Sequence, residues 1–466
     1  MNRITMKDSD TIAAISTPVG EGGIGIVRLS GDTSLKVAER IFTSSKGDSP
    51  LDYYTHSIHH GYIKVPGSGE PVDEVLLSVM RAPATYTAED VVEINCHGGV
   101  VPLRRILDLC LSEGARLAEP GEFTKRAYLN GRIDLAQAEA VLDIISSESD
   151  AAGKAAVEQL RGGFSRKITE IRSSVIEILS EIELALDFTE EDVLFSSVDK
   201  MTRGVEEARK TLIKILETAD RGIVLRKGAR AVICGRPNVG KSSLMNAFLR
   251  HDRVIVTPVA GTTRDVVEES INISGLSVRL SDTAGIVGTS DPIEAEGIRR
   301  SKEKLKEADI VMFMVDASRP LSDEDDRIYD IIKDKEVIIV LNKTDLPGEF
   351  DVKEVNERFG WHEVIEVSAT RGTGLVELED AAYKTIFKGD VRIPDGPLVT
   401  NLRHKKALEK ALEIMDKALK VTGSNYSAEL LASDLRQVLH HLGQVTGETV
   451  EDDILDRIFS RFCIGK

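Results

Sequence analysis

The stretch Gly235-Arg236-Pro237-Asn238-Val239-Gly240-Lys241-Ser242 constrains this chain more than any other. It follows an apolar run, Ala231–Cys234, and leads into Ser243-Leu244-Met245-Asn246-Ala247-Phe248. A G-x-x-x-x-G-K-S match means little unless it lies between a strand and a helix, and here it does. The glycines let backbone N–H groups converge on a phosphate chain at a helix N-terminus, where the partial positive charge favours an anion. Lys241 would reach the β- and γ-phosphates, and the Ser242 hydroxyl would sit on Mg2+. The competing reading, an ordinary Gly-rich turn, does not account for the flanking strand and helix.

Between about 227 and 388 strands alternate with helical segments, which predicts a mostly parallel sheet with helices on both faces. The strand candidates are 230–234, 269–273, 277–281, 310–315, 337–341 and 364–367. A nucleotide should bind at the carboxyl ends of such strands, and the remaining motifs fall there. Asp282-Thr283-Ala284-Gly285 closes one strand, with Asp282 placed to hold Mg2+ through water and the Gly285 N–H to face the γ-phosphate. Thr262 and Thr263 lie between the two motifs, where a switch segment orders around the metal. Asn342-Lys343-Thr344-Asp345 ends another strand, and a carboxylate there accepts both guanine N1–H and the 2-amino group. Adenine offers no such pair, so discrimination is large. Ser368-Ala369-Thr370 can supply a backbone N–H to guanine O6. All four motifs in this order predict a GTP-binding domain.

At 466 residues the chain exceeds one ordinary core, and several domains are expected. The formal net charge of −17 argues against general nucleic-acid affinity, so any RNA contact must be local or shared with a partner. No apolar run reaches the length of a membrane span, and the first residues lack the apolar core of a signal peptide. Cys96, Cys110, Cys234 and Cys463 are scattered, which indicates neither a zinc site nor a disulfide framework. The reading is a cytoplasmic protein.

Residues 1–125 read as a β-rich domain, with strands at 11–15, 24–29, 74–80 and 90–94 and a helix at 102–113. Gly20-Glu21-Gly22-Gly23-Ile24-Gly25 matches G-x-G-x-x-G, but it runs into a β-branched strand rather than a helix. A dinucleotide fingerprint is therefore rejected in favour of a tight turn with a close backbone approach. Residues 126–226 turn helical, with Asp134 as an N-cap and apolar seams through Ile168–Ala185 and Met201–Ile215. The pattern returns over 389–466, through Leu408–Leu419, Leu431–Leu442 and Ile454–Ile458. Neither helical set buries its stripe alone, so they are expected to pack together, with 227–388 inserted between them.

Two details depart from a Ras-like switch. Ile286 follows Gly285 where Ras-type proteins carry a water-orienting Gln, leaving Asp291, Glu294 and Glu296 as the nearest acids. Asn238 has two readings: its carbonyl helps bind a monovalent cation beside the β/γ bridge, or it rigidifies the turn. The terminus, Arg461-Phe462-Cys463-Ile464-Gly465-Lys466, is equally two-sided. A Cys among apolar residues is usually inert core, yet an apolar, abrupt end suggests one docked in a site.

Taken with the domain order, Gly22–Arg28, Pro120–Ala127, Asp134–Ala140, the Gly235 loop, Gly261–Asp265, Asp282–Gly285 and Phe462–Lys466 closely resemble the tRNA-modification GTPase family MnmE, also called TrmE. The resemblance runs from near the first residue to the last. It implies a multidomain α/β fold: a β-rich N-terminal folate-binding-like and dimerisation domain, an α-helical bundle, and an inserted Ras-like P-loop GTPase domain. Such proteins act with an FAD-dependent partner of the MnmG (GidA) type, as a heterotetramer, on carbon 5 of the tRNA wobble uridine. The product is an aminomethyl or carboxymethylaminomethyl group, with a 5-formyl- or methylene-type tetrahydrofolate as one-carbon donor.

By resemblance, folate meets Arg28, Glu93, Arg132 and Lys466; some members carry Lys where Arg132 stands. GTP is held by Asn238, Val239, Gly240, Lys241, Ser242, Ser243, Thr257, Thr262, Thr263, Asp282, Thr283, Ala284, Gly285, Asn342, Lys343, Asp345, Ser368, Ala369 and Thr370. Mg2+ falls to Ser242 and Thr263, and K+ to Asn238, Thr257, Val259 and Thr262. Glu294 positions the hydrolytic water, and Cys463 takes part in the modification chemistry. The family forms homodimers through the N-terminal domains. Two other readings compete: a GTP-dependent ribosome-assembly switch, which fits the nucleotide domain equally well, and a folate enzyme with a regulatory nucleotide domain.

Overall fold

The computed structural model describes residues 10–187, 191–251, 269–282, 299, 303–348, 351–389, 396–421 and 428–466. For Ala185, Asp187, residues 191–199, Arg250, His251, Glu269, Asp282 and Val421 it describes the backbone alone. The chain divides into two compact units, one running up to Leu142 and including His440–Lys466, the other Asp143–Leu439. It is a multidomain α/β protein.

The first unit is built on a seven-stranded sheet: β1 (Ile12–Ile15), β2 (Gly25–Ser30), β3 (Phe42–Ser44), β4 (Ser57–Lys64), β5 (Pro71–Met80), β6 (Val91–Cys96) and β7 (Arg116–Leu117). The order is β3-β4-β5-β6-β2-β1-β7, antiparallel except for the β1–β7 pair. Side chains alternate as a one-sided sheet requires: Val75, Leu77 and Val79 of β5 are buried while Leu76 is exposed. The buried face packs on α1 (Ser34–Ile41) and α2 (Val100–Ser112), through Leu35, Ala38, Ile41, Leu103 and Ile106. The four strands and one helix expected here are present; β3, β4, β7 and α1 are additional. Gly20–Gly25 opens no helix. A Cβ on Gly98 would lie 2.2 Å from the Gly22 carbonyl oxygen, which is the close backbone approach the glycines suggested.

Next come α3 (Glu122–Leu129) and α4 (Leu135–Ile145). Asp134 caps α4 as expected: its Oδ1 accepts from the Gln137 N–H at 2.8 Å, and the Gln137 Oε1 accepts from the Asp134 N–H at 2.9 Å. Ala127, Ile133, Leu135 and Ala138 pack against Leu455, Phe459 and Phe462 from the far end of the chain. Arg126, 2% exposed, reaches Asp10, Glu89 and Glu122 at 2.7, 3.2 and 3.1 Å.

In the second unit come α5 (Asp150–Leu160), α6 (Gly163–Asp187), α7 (Glu191–Leu216) and α8 (Ala219–Lys227), then β8 (Ala229–Cys234), α9 (Lys241–His251), β9 (Glu269–Ile273) and β10 (Leu276–Asp282). After these come β11 (Ile310–Asp316), α10 (Asp323–Ile332), β12 (Val337–Asn342), α11 (Val352–Phe359), β13 (Glu363–Val367), α12 (Leu375–Ile386), α13 (Leu402–Val421) and α14 (Ala428–Thr446), the last running past Leu439, where the unit ends. The sheet order is β13-β12-β11-β8-β10-β9, parallel except for the β9–β10 hairpin. All six expected strands are present. Because both faces are covered, β11 and β12 are buried along their whole length. One face packs on α9 and α12 through Leu244, Phe248, Leu378 and Ala382; the other packs on α10 and α11 through Ile328, Ile332, Val355 and Phe359.

The helices before and after this sheet pack together, as the paired stripes predicted. Met201, Val205, Ala208 and Leu212 of α7 are buried, as are Leu408, Ala411 and Met415 of α13. Arg209 pairs with Asp416, Lys405 with Asp220 at 2.6 Å, and the Thr218 hydroxyl accepts from the Val399 N–H at 3.1 Å. Among the described residues no helix is long and apolar enough to cross a membrane.

Replacing Arg126 by Ala removes the buried cation shared by three carboxylates; because Arg116 still pairs with Asp10 and Glu122, each at 2.7 Å, the protein should lose about 2–3 kcal/mol. Denaturation of wild type and R126A checks this; a loss below about 1 kcal/mol, typical of a surface pair, would contradict it.

Candidate functional site

The phosphate loop joins β8 to α9, and its backbone explains its sequence. Gly235 and Gly240 have φ of +149° and +104°, and added Cβ atoms would meet the Met314 carbonyl oxygen at 2.4 Å and the Asn342 Nδ2 at 2.3 Å. Only glycine fits either place. Asn238 adopts φ +64°, which Asn tolerates better than most residues. Lys241 Nζ donates to the carbonyls of Gly235 at 2.9 Å and Arg236 at 3.0 Å, so its charge sits over the loop. Ser242 and Ser243 are exposed on the first turn of α9. Arg236 points away from the loop to an ion pair with Asp325 of α10 at 2.8 Å.

The motifs expected to read the base stand behind this loop. Asn342 Nδ2 donates to the Val239 carbonyl at 2.7 Å, while its Oδ1 accepts from the Ala369 N–H at 3.1 Å. Lys343 Nζ donates to the Asn238 carbonyl at 2.8 Å. Ser368 Oγ donates to Asp345 Oδ1 at 2.7 Å, and that hydrogen bond holds the Asp345 carboxyl below its ordinary range. Asp345 is thus an ionised, oriented acceptor. Beside it opens a cavity of about 340 Å³ lined by Ser243, Asn246, Ala369, Thr370 and Arg371. The structure therefore brings together Asn238–Ser243, Asn342, Lys343, Asp345 and Ser368–Thr370. Asp282 ends β10, next to β8 in the sheet. Thr257, Val259, Thr262, Thr263, Thr283, Ala284, Gly285 and Glu294 lie outside the described residues.

A second constellation lies in the first unit. Strand register sets Arg28 of β2 opposite Glu93 of β6, and Arg28 Nε donates to Glu93 Oε1 at 2.8 Å. Arg28 Nη1 and Ser16 Oγ both donate to the Gly465 carbonyl, at 3.2 and 3.1 Å. Gly465 has φ +92°, and a Cβ there would stand 2.3 Å from the Ile15 carbonyl oxygen. Phe462 is buried, and the Gly121 N–H donates to the Cys463 carbonyl at 3.4 Å. The terminus is docked. Burial, and then the nearby Arg28 charge, push the Lys466 amine below its ordinary range, against the opposing pull of Glu93.

Arg132 joins the same place from the turn before α4. Its guanidinium lies 4.8 Å from the Tyr86 ring centroid, and its Nη1 donates to the Tyr86 carbonyl at 2.8 Å. Arg28 faces that ring at 5.7 Å and Phe123 at 5.6 Å. Tyr86 is held by its hydroxyl, 2.9 Å from Thr124 Oγ1. Sequence reasoning missed Tyr86 and Ser16; the one available signal was an aromatic in the turn-rich stretch Ala84-Thr85-Tyr86-Thr87.

Cys463 is exposed, unlike the other three cysteines, so the inert-core reading does not describe it. Burial pushes the Cys96 thiol up to about 11 and those of Cys110 and Cys234 up to about 12. Among the described residues no group of three or more His, Cys, Asp or Glu could hold a metal ion.

Comparison with known proteins gives two family matches: "GTP-binding protein TrmE N-terminus" over residues 11–132 and "MnmE helical domain" over 135–463. Proteins named "tRNA modification GTPase MnmE" are similar along their whole length. That of Alkaliphilus oremlandii is 46% identical, covering 99% of this chain and 100% of the relative. Those of Acetivibrio thermocellus, at 45%, and Geobacillus kaustophilus, at 46%, are covered to the same extents. Among solved structures, an Aquifex aeolicus Era variant bound to GDP.AlF4- is 31% identical, covering 40% of this chain and 67% of Era, with a TM-score of 0.30. The G domain of T. maritima FeoB is 26% identical, covering 34% of this chain and 98% of that domain, with a TM-score of 0.27.

If Asp345 reads the base, Asp345→Asn replaces an acceptor by a donor that suits the xanthine 2-oxygen instead of the guanine 2-amino group. GTP affinity should fall by about 100-fold or more, and xanthosine triphosphate should become the preferred ligand. Titration with both nucleotides tests it; unchanged preference would remove Asp345 from the base site.

Proposed function

This chain belongs to the tRNA modification GTPase MnmE family, and from that premise we propose that it is a GTP hydrolase that modifies carbon 5 of the tRNA wobble uridine. The observation that carries the hydrolase half is the convergence of the phosphate loop, Asn342, Lys343, Asp345 and Ser368–Thr370 around one cradle. Backbone N–H groups and Lys241 neutralise charge on the β- and γ-phosphates, and Asp345 reads guanine beside the Ser368–Thr370 segment. Ser242 is exposed at the helix N-terminus and so fits a Mg2+ ligand, with Thr263 and Asp282 completing the set; bound Mg2+ neutralises phosphate charge. Asn238, exposed and in a left-handed backbone, fits a K+ ligand together with Thr257, Val259 and Thr262. The same reading gives Thr283, Ala284 and Gly285 to GTP, with the Gly285 N–H for the γ-phosphate, and gives Glu294 the attacking water that Ile286 cannot polarise.

The second half of the reading assigns the Arg28 constellation to a tetrahydrofolate derivative. Glu93 supplies a carboxylate for the amino and ring N–H donors of a pterin, and Arg28, Arg132 and Lys466 supply cations for a glutamate tail. What supports it is the gathering of these four residues, distant in sequence, around Tyr86 and the docked terminus. Cys463, exposed beside that site, is available to the modification chemistry. The same reading gives domains at 1–125, 126–226, 227–388 and 389–466, a cytoplasmic homodimer, and an FAD-dependent partner with which it acts on tRNA.

Two measurements test the halves separately. Hydrolysis by the full chain should be faster in K+ than in Na+, and Glu294→Ala should lower kcat by about 100-fold or more while sparing GTP affinity. Equal rates in the two salts would remove the cation role of Asn238. A reduced folate should raise the melting temperature, and deleting Ile464–Lys466 should abolish that rise. Normal protection of the truncated chain would overturn the folate assignment to the docked terminus.

A further inference from the structure

Asn238 and Lys343 share an uncommon feature: both are non-glycine residues in the left-handed region, at φ +64° and +68°. Such a conformation is strained for a residue with a side chain and persists only where surrounding contacts fix it. One contact joins the two, the 2.8 Å bond from Lys343 Nζ to the Asn238 carbonyl. A lysine is a long, flexible strut and does not place itself.

Asp316, the last residue of β11, supplies the missing constraint. Its Oδ2 receives Lys343 Nζ at 2.5 Å, and its side chain is 3% exposed. Its Oδ1 accepts from the Ser318 N–H at 3.0 Å and the Ser318 hydroxyl at 2.7 Å, so the carboxylate is fixed from the opposite side. Burial opposes its charge, but Lys343 and Ser318 outweigh burial and keep the carboxyl below its ordinary range. Register sets Asp316 opposite Asn342, the residue that holds the next loop carbonyl, that of Val239.

We infer that Asp316 is a positioning residue which, through Lys343, holds the phosphate loop at Asn238 and so sets how Asn238 presents itself to a monovalent cation. The chain of contacts is carboxylate, ammonium, loop carbonyl. The loop-holding part stands on geometry alone, whereas the cation part rests on the reading of Asn238 given above. Asp316 itself touches neither phosphate nor base motif except through Lys343 and the backbone of β12.

The test uses the full-length protein and Asp316→Asn, which keeps the shape and a hydrogen bond to Ser318 but removes the charge that orients Lys343. In the nucleotide-free chain, amide hydrogen exchange over 236–240 should accelerate by about tenfold, since one ion pair restrains that opening. The K+ concentration giving half-maximal GTP hydrolysis should rise by a similar factor, more than KM for GTP. Ser318→Ala, which removes the hydroxyl bond to the carboxylate's other oxygen but keeps the Ser318 N–H bond and the Lys343 pair, should change exchange and K+ response by less than about threefold. Unchanged exchange in D316N overturns the inference. Faster exchange with an unchanged K+ midpoint overturns its cation half, and a wild-type rate equal in K+ and Na+ overturns that half together with the reading it rests on. Equal effects of D316N and S318A would mean a general loosening of the β11 end, and also overturn it.

Discussion

A loop that turns its N–H groups toward an anion turns its carbonyls outward, and those carbonyls must be satisfied from behind. Here Asn342 and Lys343 do so for Val239 and Asn238, residue by residue. The two motifs proposed to meet opposite ends of a nucleotide are therefore tied directly to each other by hydrogen bonds. Preorganisation of this kind is what makes electrostatic stabilisation effective, because no donor has to move when charge develops. The parallel sheet supplies the frame: β8, β11 and β12 end side by side, and their loops meet at one edge.

The first unit solves a different problem by a related device. Its chemistry-bearing residues come from β2, β6, the stretch before α4 and the chain's end, and no local pattern unites them. Gly465 lets the terminus press against Ile15, and its carbonyl then accepts from Arg28 and Ser16. A buried carbonyl with two charged or polar donors is a strong anchor for so short a segment. The same anchor leaves Cys463 exposed while its neighbour Phe462 is buried.

How much of this was legible in the sequence depended on whether the signal was local. In the nucleotide domain β11 and β12 are apolar up to their last residue, β9, β10 and β13 mix apolar with polar residues, and β8, β10, β12 and β13 run into motifs, so every strand was readable. β4 was not, because Gly61 serves as an inward position against Thr43 and Phe42, and His59 and His60 break the alternation. α1 escaped notice because its eight residues carry only a short stripe. Tyr86 and Asp316 were invisible for another reason: a loop tyrosine and a strand-end aspartate acquire roles only from partners far along the chain. Arg28 alone would have read as a solvated strand end, and the register with Glu93 gives it a place.

The proposed function has one chain couple a GTPase cradle to one-carbon chemistry on tRNA. Nucleoside mass spectrometry of bulk tRNA, from cells with and without this gene, tests it most directly. The account predicts specific loss of the carbon-5 products of the wobble uridine when the gene is absent. Unchanged tRNA accompanied by defective ribosomal particles would contradict it, and would favour a GTP-dependent assembly role.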